Sequence, residues 1–328
     1  MLPNHGCQPS DMSIAARICA IALLITQSSA LAAGPITGDS APRASATYTI
    51  EFPRDAAVAE IIVSAPGRPG PLNTKTRILA QGKVTLPKTC ALEIKLCYAG
   101  TTHMETLEQI DAHQIKSFSA QKLELEDSQL THLKKFSDLM SLDLDSTLVS
   151  DKSLPLIGSF SKLFSLHLNS TDITGSGFDN LGNLHKLSSI SLEGIALKPG
   201  ALAKLKPHAG KLNGLDVSKN GLTDADMVAI GDLHNLTHLD ISGNKLVDDN
   251  GMKYLQSLTN LSALRINDTS ITEKSLPIIN KLPQLHYVVV RNSQFWICGR
   301  PQNTKSQIKF SDAASLNKAP LDIFGPLH

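Results

Sequence analysis

Three residues of the types found in a hydrolytic triad, Asp143, His167 and Ser191, follow one another at intervals of 24 residues. Brought into contact, the imidazole would take the hydroxyl proton and the carboxylate would orient the imidazole. Glu124, Glu126, Asp127, Asp143 and Asp145 form a second set, with the oxygen ligands that suit a hard cation such as calcium. Cys90 and Cys97 would suit a disulfide in an oxidising compartment, but the strand expected between them, Ala91 to Leu96, would have to bend. The sequence has no His-Glu-x-x-His motif, paired Cys-x-x-Cys or phosphate-binding Gly-rich loop.

What positions these residues is a repeat. A phrase with apolar first, fourth and sixth positions opens at Leu139, Leu163, Leu187, Leu212, Leu236, Leu261 and Leu285, in steps of 24 or 25 residues. A fixed period of this length means a solenoid, whose units bury their apolar faces only against their neighbours. On a short strand, positions four and six point inward and position five points out. The ninth position, Thr147, Thr171, Asn220, Asn244 and Thr269, is polar yet expected inside, so it must bond to backbone groups of the turn. Ser150-Asp151, Thr174, Thr223-Asp224 and Thr272-Glu273 are then expected to cap short helices, which Leu181, Ile230, Leu255 and Ile279 return to the core.

Two copies depart from the phrase. The fourth has Ile195 at its ninth position, with Lys198-Pro-Gly200 and Pro207-His-Ala-Gly210 around its helix, so a loose turn or altered curvature is expected there. The first, around Ala120-Gln-Lys-Leu123-Glu-Leu125, reads as about five residues short.

The phrase L-x-x-L-x-L-x-x-[TN]-x-[IL] resembles that of leucine-rich repeat proteins over more than half of the chain, as in Leu212-Asn-Gly-Leu215-Asp-Val217 and Leu236-Thr-His-Leu239-Asp-Ile241. Segments such as Leu222-Thr-Asp-Ala-Asp-Met227 and Ile271-Thr-Glu-Lys-Ser-Leu276 are similar to a variant frequent in exported bacterial members. Those members often begin with a small β module, and Phe52-Pro53 and Gly82-Lys-Val-Thr-Leu86-Pro87 match its pattern. The resemblance implies an α/β solenoid, a leucine-rich repeat horseshoe of about eight coils, with concave parallel strands, short convex helices and a small β cap at its N-terminal end.

The rest of the chain divides accordingly. Residues 1–32 read as a signal peptide, with Arg17, the apolar run Ile18 to Ile25 and a cleavage pattern at Ala30-Leu31-Ala32. Residues 33–46 read as a linker, 47–100 as the β module with strands near Tyr48–Phe52, Ala59–Val63, Gly82–Leu86 and Leu92–Leu96, 101–293 as the repeats, and 294–328 as a C-terminal cap and tail. This predicts an exported protein, periplasmic or extracellular, whose mature chain has no membrane span. The balance of 31 basic against 30 acidic side chains does not recommend nucleic acid, whose binding draws on an excess of Lys and Arg.

Laid out as columns, position five runs Glu124, Asp143, His167, Ser191, Asp216, Asp240, Arg265 and Val289, and position seven runs Glu126, Asp145, Asn169, Glu193, Ser218, Ser242, Asn267 and Arg291. Carboxylates crowd the first strands and basic groups close the last, which would steer a positively charged partner to the N-terminal half. Backbone N–H groups of a sheet are committed to its ladder and form no oxyanion hole, which argues against catalysis by Asp143, His167 and Ser191. The reading is therefore a non-enzymatic module without cofactor or metal that binds a protein or peptide, with a basic partner favoured. Its expected contact residues are Glu124, Asp143, Asp145, Phe164, His167, Glu193, Asp216, His238, Asp240, Arg265 and Tyr287. The alternatives are an envelope-associated structural repeat without a discrete ligand and, least favoured, a cryptic hydrolase.

Overall fold

The computed structural model describes residues 46–64 and 75–291, and the backbone strand at 309–311. The expected signal segment, the linker before residue 46, Phe295, Trp296 and Cys298 lie outside the described residues.

The β module forms first. Strands β1 (Thr47–Glu51), β2 (Ala59–Ser64), β3 (Thr76–Leu79), β4 (Lys83–Pro87) and β5 (Ala91–Leu96) fall where alternation and breakers placed them, except β3, which the Pro-rich stretch before it hid from the sequence reading. β1 pairs antiparallel with β4, and β2 lies antiparallel between β3 and β5. Ile50, Phe52, Ile61, Leu86, Leu92 and Ile94 fill the space between these strands. Short 3-10 helices at Tyr98–Thr102 and Met104–Gln109 lead to the repeats.

The repeats continue the same sheet. β6 (Ile115–Ser119) pairs parallel with β5, so the module joins the solenoid through main-chain bonds and not only through side-chain packing. β7 (Ser141–Asp143), β8 (Ser165–His167), β9 (Ser189–Ser191), β10 (Gly214–Asp216), β11 (His238–Asp240), β12 (Ala263–Arg265) and β13 (Tyr287–Val289) follow in chain order, and β14 (Lys309–Ser311) pairs with β13. Register is unbroken from Ser117 to Val289 despite the 25-residue steps, so the extra residues are absorbed on the helical side.

The apolar columns behave as the period demands. At position four, Phe118, Leu142, Leu166, Ile190, Leu215, Leu239, Leu264 and Val288 are all buried, as are Leu144 through Val290 at position six and Ile115 through Leu285 at position one. The first repeat therefore opens at Ile115 and is full length. Leu123 and Leu125 sit at positions nine and eleven, although their spacing imitates positions four and six. After the strand the first seven coils turn through a left-handed residue at position eight, Gly194, Gly243 and the non-glycines Lys122, Ser146, Ser170, Lys219 and Asp268. Such a residue costs of order 1 kcal/mol, offset here by the bond its N–H donates to the next coil, as from Ser146 to the Asn169 carbonyl and from Lys219 to the Ser242 carbonyl.

Position nine does what a buried polar group must. Thr147, Thr171 and Thr269 donate to the carbonyls of Leu144, Leu168 and Ile266 at 2.7 to 2.8 Å. Asn244 accepts from the N–H groups of both Asn220 and Leu222 and donates to the Val217 and Ile241 carbonyls. Asn220 accepts from Ile195 N–H, so the polar residue missing from the fourth copy is replaced from the fifth.

Short helical turns, α or 3-10, occupy the opposite side. Ser150 and Thr272 cap them as expected. Thr174 and Thr223 do not: their hydroxyls donate to Asp151 and Asp226. Asp226 lies in the same turn as Thr223, whereas Asp151 belongs to a ladder of carboxylates between coils. Asp127 accepts from Ser150 N–H and the hydroxyls of Ser150 and Ser153, and Asp249 from Thr272 N–H and the hydroxyls of Thr272 and Ser275. The equivalent positions in the third and fourth copies are Gly175 and Pro199, and the ladder stops there. A groove of about 470 Å³, bordered by Leu197, Pro199, Leu202, Leu222 and Val228, opens where it stops, at the copy expected to be loose. Gly175 is required: its φ is +78°, and a Cβ would fall 2.6 Å from Ala201 Cβ.

No helix among the described residues is long and apolar enough to cross a membrane.

Candidate functional site

The strand face presents positions three, five and seven of each coil. Position three holds Ser117, Ser141, Ser165 and Ser189 on four successive strands, then Gly214, His238, Ala263 and Tyr287. The serines are short, and a trough of about 380 Å³ follows the first three, lined also by Ser119, Asp143, Asp145, His167, Asn169, Ser191 and Asp216, with Glu93 and Lys95 contributed by β5. Neither the serine floor nor the part played by β5 is visible in columns five and seven. Reading position three alongside position five would have shown the first; the parallel pairing of β5 with β6 was needed for the second.

Glu124 and Glu126 are not on this face. With the first repeat opening at Ile115, its fifth and seventh positions are Ser119 and Gln121, while Glu124 and Glu126 lie beyond the turn at Lys122 and are exposed. Glu126 instead precedes the helical turn Asp127–Leu130, where its N–H donates to Gln129 at 2.7 Å. Asp127 is committed to the inter-coil ladder. The five carboxylates considered for calcium are thus spread over different sides of the coil, and among the described residues no three His, Cys, Asp or Glu side chains group as metal ligands.

Asp143, His167 and Ser191 do stand in register on β7, β8 and β9. Their hydrogen bonds go elsewhere. Ser191 Oγ donates to Asn169 Oδ1 at 2.7 Å. His167 Nε2 lies 3.1 Å from Ser165 Oγ, and Asp143 accepts from Ser119 Oγ and Asp145 N–H at 3.2 Å. The hydroxyl is therefore bonded to an amide oxygen and not to the imidazole that would have to take its proton.

The carboxylates of the face are held by its own turns. Asp145 accepts twice from Asn169, at 2.8 and 3.0 Å. Burial pushes the Asp143 carboxyl up, as does the charge of Asp145, against the pull of Asp145 N–H, His167 and Ser119. Further along, Asp216 and Asp240 are 9% and 7% exposed. Burial and then the neighbouring charge of Asp240 push Asp216 up to about 6. Asp240 is raised by burial too, against bonds from Ser242 and the nearby Arg265. Lys219 reaches Glu193 at 2.5 Å, and Arg265 lies 3.5 Å from Asp240.

The remaining expected contacts scatter. Phe164 is half-buried at position two, beside the column, while His238 is half-buried at position three. Tyr287 is 43% exposed at the far end of the face. Acidic groups, once Glu124 and Glu126 leave, centre on β7 to β11, with Arg265 and Arg291 beyond them. Cys90 and Cys97 are not joined; they flank strand β5, and Cys90 is buried with its thiol donating to the Pro87 carbonyl.

No protein-family model matches the sequence, and no curated protein matches it. Among solved structures, the chain is similar to an internalin C2 from Listeria monocytogenes, with a TM-score of 0.51 and 19% identity, covering 65% of this chain and 91% of that one. An internalin, inlF, from the same organism overlays more loosely, with a TM-score of 0.28 and 15% identity over 67% of this chain and 85% of that one. Likeness at such low identity bears on the fold, and it agrees with the parallel ladder and the 24-residue phrase. The fold of this chain is that of a leucine-rich repeat solenoid.

Proposed function

We propose that this chain is an exported, non-enzymatic binding module whose strand face takes up a protein or peptide carrying positive charge. The observation that supports this reading most is the trough along β6 to β10, floored by serines and edged by Asp143, Asp145 and Asp216. A floor of small hydroxyls admits an extended chain or a long side chain, and carboxylates in a partly covered setting reward a cation more than exposed ones do. Phe164 beside β8 and Tyr287 beyond the acidic stretch offer apolar contact.

The test is a pull-down from the native organism with the mature chain, set beside a variant carrying Asp143→Ser, Asp145→Ser and Asp216→Ser. The expected outcome is a partner whose capture weakens with salt and is lost in the variant. Capture unchanged by the variant would move the site off the strand face. Turnover of an ester or peptide substrate that Ser191→Ala abolishes would overturn the non-enzymatic reading.

A further inference from the structure

Asp216 and Asp240 are register partners on β10 and β11. Adjacent strands lie about 4.8 Å apart, so two carboxylates at one repeat position on one face stand at close range. Each uses an oxygen to hold the turn that follows: Asp216 Oδ1 accepts from Ser218 N–H and Oγ at 2.9 and 2.7 Å, and Asp240 Oδ1 accepts from Ser242 N–H at 2.9 Å. These bonds fix both carboxylates in place, so they cannot swing apart.

The charged groups around the pair offset it in part: Arg265 is the cation nearest Asp240, and Lys219 acts on both carboxylates from farther off. On the preceding coil, β9 offers only the neutral Ser191, while Glu193 beyond it adds a negative charge. Lys219, which follows β10, is drawn to Glu193 at 2.5 Å. On the other side Arg265 of β12 lies 3.5 Å from Asp240. Burial, and then Arg265, pull the His238 imidazole on β11 below its ordinary value, and His167 and Asp143 lie two and three strands from β10 in the trough. Two like charges this close and this well covered favour one shared proton.

We propose that Asp216 and Asp240 act as one proton-binding unit that sets the charge of the strand face, so that a cationic partner is held at neutral pH and released in mild acid. The partner half of this statement rests on the reading given under Proposed function; the proton-binding half does not. In acid the pair takes one proton from solvent and passes from two negative charges to one, with no other bond made or broken. The upward displacement of both carboxyls accords with this arrangement.

Carboxyl carbon-13 NMR of the full chain across the acid-to-neutral range tests the unit directly, alongside Asp216→Asn and Asp240→Asn. One carboxyl of the pair is expected to titrate near the value of about 6 that Asp216 carries. In each Asn variant the surviving carboxyl should titrate lower, because its charged neighbour is gone. Two carboxyls titrating in the ordinary range in the wild type would overturn the proposal. Binding of tetralysine then tests the gate. If only the doubly ionised face binds, apparent affinity falls about tenfold one pH unit below the midpoint. The double Asn variant should show no such dependence. Tetralysine binding that is equal at both pH values in the wild type would overturn the gate. Tetralysine that binds at neither pH counts against the cationic-partner reading and with it the gate, while the NMR titration still decides the proton-binding unit.

Discussion

Asp151 in one coil closes the turn of the next through Thr174, accepting from its hydroxyl at 2.6 Å and from its N–H at 3.3 Å. Ser176 adds a third donor at 2.7 Å. The same contact recurs from Asp127 to Ser150 and from Asp249 to Thr272. Coils of this solenoid are thus coupled on the helical side by charge-assisted bonds, in addition to the apolar columns. Replacing Asp151 with Ala is expected to cost about 1.5–3 kcal/mol, the range for hydrogen bonds to a charged group. A lowered urea midpoint with an unchanged slope would bear this out, and no shift would show the ladder to be incidental.

The ladder also sets an acid limit. Burial alone would raise the Asp127 and Asp151 carboxyls, but bonds from Ser150 and Ser153, and from Thr174 and Ser176, outweigh it and hold both below the usual carboxylate value. A carboxyl depressed in the folded state contributes stability that is complete above its unfolded pKa and lost as pH falls through the folded one. Thermal melts should therefore drop steeply below about pH 4 in the wild type and less steeply in an Asp127→Asn, Asp151→Asn variant. Parallel slopes would contradict this.

Asp216 works in the opposite sense. Its raised carboxyl binds a proton more tightly folded than unfolded, so its contribution is complete below the ordinary carboxylate pKa and lost as pH rises through about 6. Asp216→Asn, which removes one of two repelling charges, is expected to narrow the difference in melting temperature between mild acid and neutral pH. An unchanged difference would count against strong coupling with Asp240.

Two glycines separate backbone strain from crowding. Gly175 and Gly200 both have left-handed φ, +78° and +80°, but an added Cβ meets Ala201 and Leu197 at Gly175 and nothing within 4 Å at Gly200. Gly200→Ala should cost about 1 kcal/mol, and Gly175→Ala some 1–3 kcal/mol more, because a closely packed neighbour must move. Equal losses in denaturant titrations would mean that the third coil relaxes freely.

Asn244 serves two coils at once. Asn244→Ala would leave the buried N–H groups of Asn220 and Leu222 without their acceptor, for an expected loss of about 2–4 kcal/mol. Hydrogen exchange should quicken first at those two amides; protection retained at both would show that water replaces the side chain.

The period, the inward columns and the polar ninth position were legible in the sequence because each follows from local chain geometry: a strand alternates, and a repeat of 24 residues must stack to hide its apolar face. Register of the first coil was not legible. Leu123 and Leu125 imitate positions four and six, and only the pairing of Ser117 with Ser141 shows that β6 opens earlier, which removes Glu124 and Glu126 from the binding face. Nor could a list of columns say which neighbours bond. Ser191 and His167 are in register, yet the shorter path leads from Ser191 to Asn169. Spacing determined which side chains share a face. Tertiary structure decided their partners and their charge, since hydrogen-bond direction and burial depend on distances of a few tenths of an ångström that no repeat length specifies.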